Sequence, residues 1–164
     1  VMSNYGFKQA IEKFNFDLIE TPVGDKYVAE AMKKYDAALG GEQSGHIIIS
    51  DQLPVGDGLV TLIYVLKAMQ HFGVALSDFK KENLYEYPQK LTNLELENKL
   101  NDEELEYINQ IALDMSIKKD LDGRYLIRNS GTEPLLRVLV EAKSNEAMED
   151  FSNELITKIN KYLN

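Results

Sequence analysis

Residues 124–142 read RYLIRNSGTEPLLRVLVEA, two largely apolar runs on either side of a polar loop. The runs are rich in large and β-branched side chains, which predicts strands over residues 124–128 and 135–142. The loop between them, from Arg128 to Pro134, combines arginine, hydroxyl, glycine and proline residues. The second half of the chain is therefore interpreted as a domain built around a β-sheet, with this loop at one end of it.

The neighbouring segments extend that interpretation. A strand is predicted around residues 84–96, a helix over 102–113, and a hairpin that pairs 115–119 with 124–128 across 120–123. A final helix places apolar side chains three and four residues apart, at Met148, Phe151, Leu155, Ile159 and Tyr162. The predicted order is strand, helix, strand, strand, loop, strand, helix, which is a two-layer α+β fold.

The first half alternates helix and strand, as part of an α/β domain does. Helices are predicted over residues 5–14 and after Asp25, which is suited to cap the second one. Short strands are predicted at 16–19 and 46–49, and a helix over 59–69 that is apolar nearly all round and is expected to be buried on most sides. We divide the chain into residues 1–75, a linker at 76–84, and residues 85–164, and interpret Val1 as a position inside a longer protein.

The charge balance limits the partners. The net charge of −9 argues against general nucleic-acid binding, which needs a basic face. Between Arg124 and Arg137, however, Arg124, Arg128 and Arg137 face one Glu133, three positive charges against one negative, or +2. There are no cysteines, which fits a cytoplasmic protein, and no apolar run approaches the roughly 20 residues that span a bilayer, so no membrane partner is expected.

The loop at Arg128 has the donors that a phosphate group requires. Arg128 offers a guanidinium fork, Ser130 and Thr132 offer hydroxyls, and Arg137 begins the next strand within reach of the same oxygens. Gly131 lets the backbone approach and is able to take a positive φ, which would turn successive amides into an anion-binding nest. The alternative is an ordinary hairpin turn with solvated arginines.

A second polar loop, Gly41-Glu42-Gln43-Ser44-Gly45-His46, combines a carboxylate, a hydroxyl and an imidazole, which suits vicinal sugar hydroxyls. Its alternative is a solvated polar turn. His46 is either a structural or a catalytic histidine. Gly24 and Asp25 most simply begin a helix. No cluster with metal-ligand spacing, no nucleotide-binding loop and no nucleophile elbow occurs in these 164 residues, so recognition is visible but the chemical groups that react are not.

These two loops, in this order and separation, resemble the phosphate-binding signature and the sugar-binding loop of the α-D-phosphohexomutases. The resemblance covers essentially the whole chain. It implies most of the third domain, lacking its beginning, followed by the whole fourth domain, whose fold is TATA-box-binding-protein-like. The family's phosphoserine lies in the first domain and its aspartate-rich magnesium loop in the second, and neither motif occurs here.

The resemblance also implies an activity for the parent protein, the interconversion of glucosamine 6-phosphate and glucosamine 1-phosphate through glucosamine 1,6-bisphosphate, with Mg²⁺ bound outside this chain. The product would feed amino-sugar nucleotide and cell-wall precursor synthesis. Mannose or glucose phosphates are alternative substrates, and a non-catalytic sugar-phosphate binding module is an alternative function. The fragment alone is expected to be inactive, and a homodimer is left open.

The resemblance assigns roles to residues as follows. Glu42 and Ser44 would hold sugar hydroxyls, Gly24 and Asp25 would lie in a loop that orients the sugar, and His46 would be a candidate proton carrier. The phosphate that is not transferred would be held by Arg128, Ser130, Gly131, Thr132 and Arg137. Asn129 is an additional potential donor whose role the sequence does not assign.

Overall fold

The structure is a computed structural model that describes residues 1–163. The chain divides into two compact units, unit 1 (Val1–Tyr85) and unit 2 (Glu86–Asn164). Unit 1 contains α1 (Tyr5–Lys13), α2 (Asp25–Tyr35), β1 (Leu39–Gly41), β2 (Ile47–Ile49), α3 (Gly58–Phe72) and α4 (Leu76–Asn83). Unit 2 contains β3 (Gln89–Glu95), α5 (Asp102–Lys118), β4 (Gly123–Asn129), β5 (Leu135–Ala142) and α6 (Asn145–Leu163).

Unit 2 is the predicted two-layer α+β fold. Its three strands are antiparallel in the order β3–β5–β4, and α5 and α6 cover one face. The buried cluster between the layers is apolar and includes Ile108 on α5, Val138 on β5, and Phe151 and Leu155 on α6. Tyr162, predicted on the same stripe of α6, is 41% exposed. The other sheet face carries the opposed pairs Arg124–Glu141 and Arg128–Arg137 of β4 and β5.

The predicted hairpin across residues 120–123 is wrong. Residues 115–118 continue α5, because Ile108, Ala112 and Met115 form one buried helical stripe that extends into the predicted strand. The helix ends at Lys119, and Asp120 follows with a left-handed φ of 48°. The hairpin of this unit instead joins β4 to β5, which places the loop at Arg128 at its tip.

Unit 1 has a small buried cluster of Val28, Met32 and Ile48, with β1 and β2 paired antiparallel beside α2. Gly40 packs closely against this cluster, since an added Cβ would force the side chains of Met32 and Val28 to shift. The predicted strand at 16–19 is wrong, since those residues form no strand. Residues 76–83 of the predicted linker form α4.

Helix α3 differs most from expectation. Asp57 is its N-cap, with a carboxylate that accepts from the amides of Leu59 and Val60 at 2.8 and 2.9 Å. None of its residues is buried, however, and Leu59 is 74% exposed. An apolar composition predicts that a helix prefers to be buried, but burial also requires another surface for the helix to pack against. At α2 the cap prediction fails too, because Gly24 is the N-cap residue and Asp25 is the first helical residue.

No single helix within residues 1–163 combines the length and the apolar composition needed to cross a bilayer. Helices α3 and α4 reach both only when taken together, across a bend of 76°.

Candidate sugar-phosphate site

The predicted phosphate loop is the tip of the β4–β5 hairpin. Ser130 extends the ladder by one bond, its amide donating to the carbonyl of Leu135 at 2.8 Å. Pro134 fixes the other side, where its carbonyl accepts from the amide of Leu96 at 2.9 Å. Between these two anchors, Gly131, Thr132, Glu133 and Pro134 are exposed. The hairpin thus presents a short solvent-facing loop whose two ends are held by the sheet.

The strand register sets two arginines directly opposite each other. Arg128 on β4 pairs with Arg137 on β5, and side chains of directly opposed residues lie on the same sheet face about 5 Å apart at Cβ. Arg128 makes no ion pair or hydrogen bond within residues 1–163, and Nε of Arg137 is buried without a partner. Arg137 is ion-paired with Glu133, whose Oε2 lies 3.8 Å from Nη2 of the arginine. An anion between the two guanidinium groups would relieve their repulsion.

Arg124 does not belong to this site. It lies four residues earlier on β4, opposite the fully buried Glu141, and its guanidinium is paired with that carboxylate. The positive charge at the loop is therefore smaller than the sequence between Arg124 and Arg137 suggests. Of the three arginines, two remain for a ligand.

The loop backbone offers further donors. The amides of Gly131, Thr132 and Glu133 donate no hydrogen bond within the described chain. Gly131 does not have the positive φ that an anion-binding nest would use, so that part of the sequence interpretation is wrong. A Cβ added at Gly131 would meet no atom within 4 Å. Neither the backbone conformation nor internal packing requires glycine at this position. A glycine here therefore favours the interpretation that a ligand approaches the backbone closely.

The two hydroxyls predicted to contact phosphate have different environments. Thr132 is exposed in the loop. Ser130 is only 2% exposed, and its Oγ is buried without a hydrogen-bond partner. A buried hydroxyl without a partner costs about 1–3 kcal/mol, so a ligand oxygen that reached Ser130 would recover that energy.

The predicted sugar loop is also the tip of a hairpin. It joins β1 to β2, and it is closed by the amide of Glu42 donating to the carbonyl of His46 at 2.9 Å. Gly45 has φ of 95°, which only glycine adopts without strain. Oγ of Ser44 and Nδ1 of His46 share a hydrogen bond of 3.1 Å. The His46 side chain is 59% exposed, so it is not a buried structural histidine.

Glu42 joins the sugar loop to the turn before α2. Its Oε1 accepts from the amide of Gly24 at 2.8 Å, and its Oε2 lies 3.6 Å from Nδ1 of His46. Gly24 has φ of 132°, so this turn too depends on glycine. Asp25 follows at once, its carboxylate accepting from the amide of Lys26 at 2.8 Å. The fold therefore brings the four predicted sugar-binding residues, and His46 as the candidate proton carrier, into one cluster.

Comparison with protein-family models accounts for both units. The model described as "Phosphoglucomutase/phosphomannomutase, alpha/beta/alpha domain III" matches residues 1–87, and "Phosphoglucomutase/phosphomannomutase, C-terminal domain" matches residues 91–158. The chain belongs to the phosphoglucomutase/phosphomannomutase family. The resemblance predicted from the two loops is confirmed.

Individual relatives agree with this membership. The chain is 46% identical to the phosphoglucosamine mutase of Streptococcus agalactiae over 91% of its own length, and 41% identical to that of Bacillus subtilis over 95%. It spans about a third of the length of these relatives, 33% and 35% respectively. Among solved structures, it matches an N-acetylphosphoglucosamine mutase of Aspergillus fumigatus with a TM-score of 0.82 at 19% identity, over 99% of this chain and 38% of that one.

Two further residues form hydrogen bonds at or next to the predicted phosphate loop. Asn129 lies on the opposite face from the arginines. Its Nδ2 donates to the carbonyl of Leu100 at 2.8 Å, and its Oδ1 accepts from the amide of Leu100 at 3.3 Å. Nζ of Lys99 donates to the carbonyl of Gly131 at 2.6 Å. Sequence reasoning missed Lys99, since no local signal marks a contact between residues so far apart in the chain.

The groups with a shifted pKa lie in unit 2 outside the loop, and they comprise the ion-paired Lys119, Asp122 and Glu154 together with Tyr125, whose pKa is raised by burial. The ammonium of Lys143 holds the pKa of Asp122 below its usual range, assisted by the hydroxyl of Tyr87. Asp150 and Glu154 raise the pKa of Lys119 at the end of α5. Across residues 1–163, no group of three or more His, Cys, Asp or Glu side chains is placed to hold a metal ion.

Proposed function

We propose that this chain is the substrate-binding, C-terminal part of a phosphoglucosamine mutase, which interconverts glucosamine 6-phosphate and glucosamine 1-phosphate. The observation that carries the proposal is the pair of facing arginines, Arg128 and Arg137, at the base of a loop with three amides that donate no internal hydrogen bond. Two directly opposed arginines of which only Arg137 has an ion pair, with the exposed Glu133, are costly unless an anion binds. The identities of 46% and 41% to phosphoglucosamine mutases favour this member of the family.

In this proposal the loop holds the phosphate that is not being transferred. Arg128 and Arg137 grip its oxygens from one sheet face, while the Gly131 and Thr132 amides and the Thr132 hydroxyl donate from the loop. Ser130 contributes its hydroxyl, which now lacks a partner. Charge-assisted hydrogen bonds contribute about 1.5–3 kcal/mol each, so a few of them give micromolar-to-millimolar binding once the entropic cost is subtracted.

The sugar is held by the cluster in unit 1. Glu42 and Ser44 accept from and donate to its hydroxyls, and the turn at Gly24 and Asp25 orients the ring. The bond from the Gly24 amide to Glu42 supports this assignment, because it fixes the carboxylate relative to the turn. His46, exposed and next to Ser44, is the candidate proton carrier at the reacting oxygen.

The reacting groups of the parent enzyme lie outside this chain. A phosphoserine would give its phosphoryl group to the sugar phosphate, forming glucosamine 1,6-bisphosphate, and would take the other phosphoryl group back. Mg²⁺, bound by the same missing part, would neutralise charge on the group in transfer. Residues 1–164 hold the sugar and the distant phosphate so that either end of the intermediate meets the same nucleophile. The chain alone should bind and should not catalyse.

The same proposal accounts for the exposed apolar face of α3. A helix with Leu59, Leu62 and Leu66 more than half exposed is expected to be covered by the preceding part of the third domain in the parent protein. We assign residues 1–75 to that domain and 85–164 to the fourth.

The absence of cysteine and the bacterial relatives support a cytoplasmic location. A homodimer of the parent stays a prediction for light scattering to test.

The phosphate assignment is tested by calorimetry with glucosamine 6-phosphate. The Arg128→Ala variant is compared with the wild-type chain and with Lys118→Ala, which removes an exposed lysine at the end of α5. We expect Arg128→Ala to weaken binding at least tenfold and the control to leave it unchanged. Equal binding by Arg128→Ala and wild type would reject the phosphate site, and substantial turnover by the isolated chain would reject the division of roles.

A second candidate is a phosphomannomutase or phosphoglucomutase, which the descriptions of both matching family models name. Coupled assays of the parent protein with glucosamine, mannose and glucose phosphates separate the two candidates. Turnover of the unaminated sugars alone would reject the glucosamine assignment while leaving the phosphate and sugar sites in place.

A further inference from the structure

A lysine from a distant segment lies against the proposed phosphate loop. Nζ of Lys99 donates a hydrogen bond to the carbonyl of Gly131 at 2.6 Å. An ammonium group has three donors, so two remain for other acceptors. Gly131 and its neighbours Thr132 and Glu133 have the amides that donate no internal hydrogen bond. The charge of Lys99 therefore lies at the same loop as those donors.

The backbone next to Lys99 is fixed from two sides. Asn129 bonds both the amide and the carbonyl of Leu100, at 3.3 and 2.8 Å. Asn101 caps α5 in a reciprocal arrangement with Glu104, at 2.9 and 2.8 Å. A side chain that starts from such a backbone loses less freedom when it binds than one on a mobile loop. Asn129 thus acts on the loop indirectly, through the position of Leu100.

The charge of the loop supports a role in binding. Lys99 contacts the loop that Arg128 and Arg137 border, where Glu133 is ion-paired with Arg137 at 3.8 Å. A purely structural role would need only the hydrogen bond to the Gly131 carbonyl. That need does not explain a further positive charge at a loop where Arg128 already makes no ion pair within residues 1–163, whereas a phosphate dianion does.

We propose that Lys99 is a third cationic ligand of the phosphate monoester, and that Asn129 is the positioning residue that holds it at the loop. This inference rests on the proposed function. It adds one donor from outside the Arg128–Arg137 hairpin to the site, and it gives Asn129 a purpose other than direct contact with phosphate.

The test is calorimetry of residues 1–164 with glucosamine 6-phosphate. Lys99→Met, which keeps the side-chain length without charge, is expected to weaken binding about tenfold. Lys99→Arg should retain most of the affinity, and the Lys118→Met control should retain all of it. Loss of affinity in Arg128→Ala but not in Lys99→Met would overturn the role of Lys99 and leave the proposed function intact. If Arg128→Ala has no effect, the proposed function itself has failed.

The role of Asn129 is tested by a double-mutant cycle. Asn129→Ala should weaken binding several-fold in the wild-type background and not at all in the Lys99→Met background, since it acts through that lysine. The melting temperature of each variant shows that it is folded. An equal loss of affinity in both backgrounds would overturn the positioning role, because Asn129 would then act independently of Lys99.

Discussion

Replacing Arg128 with glutamine should make the ligand-free protein more stable while it removes phosphate binding. Arg128 and Arg137 are directly opposite across the β4–β5 ladder, and within residues 1–163 Arg128 has no partner that offsets its charge. Glutamine keeps a long polar side chain on the strand but carries no charge. The substitution therefore relieves a repulsion that exists in the empty site and is useful only when an anion is present.

The size of the effect follows from the geometry. Like charges directly opposite on a sheet cost roughly 0.2–1 kcal/mol. Two unit charges about 7 Å apart in water repel each other by about 0.6 kcal/mol, which lies within that range. Glu133, at 3.8 Å from Arg137 and exposed, offsets a part of it. We expect Arg128→Gln to raise the free energy of unfolding by about 0.5 kcal/mol, or a melting midpoint by about 2–4 °C.

The assay is thermal unfolding followed by circular dichroism, in a buffer without phosphate or sulfate. Salt should abolish the difference, because the Debye length falls to about 3 Å at 1 M. Lys118→Gln, which also removes one positive charge, is the control for the general effect of charge in an acidic chain. Adding glucosamine 6-phosphate should raise the midpoint of the wild type more than that of the variant. A variant that is less stable than wild type at low salt would refute this reasoning.

Three other predictions concern the scaffold. Phe151→Ala should cost about 3–5 kcal/mol in urea unfolding, since its ring is buried in the core of unit 2; a loss below 1 kcal/mol would contradict that packing. Glu42→Gln should weaken the bond from the Gly24 amide, so that this amide exchanges faster with solvent; unchanged protection would disprove the link. Asp122→Asn should lower stability by less than about 1 kcal/mol at pH 6. Lys143 lowers the pKa of Asp122 in the folded protein, so the stability that this ion pair contributes is fully present above the ordinary pKa of 3.8. It disappears as pH falls through the lowered pKa of the folded state. If the substitution destabilised the protein as much at pH 2 as at pH 6, this account would be contradicted.

The sequence predicted unit 2 well where one face of an element is buried. The spacing of Met148, Phe151, Leu155 and Ile159 determines the orientation of α6, and all four side chains are buried. It failed at residues 115–119, where Met115 and Ile117 alternate with polar residues as in a strand. The competing helical stripe through Ala112 and Met115 decides the outcome, and a stripe is visible only over a longer window.

The sequence predicts individual residues of the candidate site, but it does not predict how those residues are arranged in space. Arg128 and Arg137 are conspicuous in the sequence, yet their direct opposition depends on strand register. Arg124 looks equivalent to them until its pairing with Glu141 is known. The contacts of Lys99 and Asn129 join segments about thirty residues apart, and no local pattern encodes such contacts.

The unequal cores of the two units have a consequence for native-state fluctuations. The buried cluster of unit 1 consists of Val28, Met32 and Ile48, whereas that of unit 2 contains twelve residues on β4, β5, α5 and α6. Local opening costs least where few apolar contacts must break. Amides around the sugar loop should therefore exchange with deuterium well before those of β4 and β5.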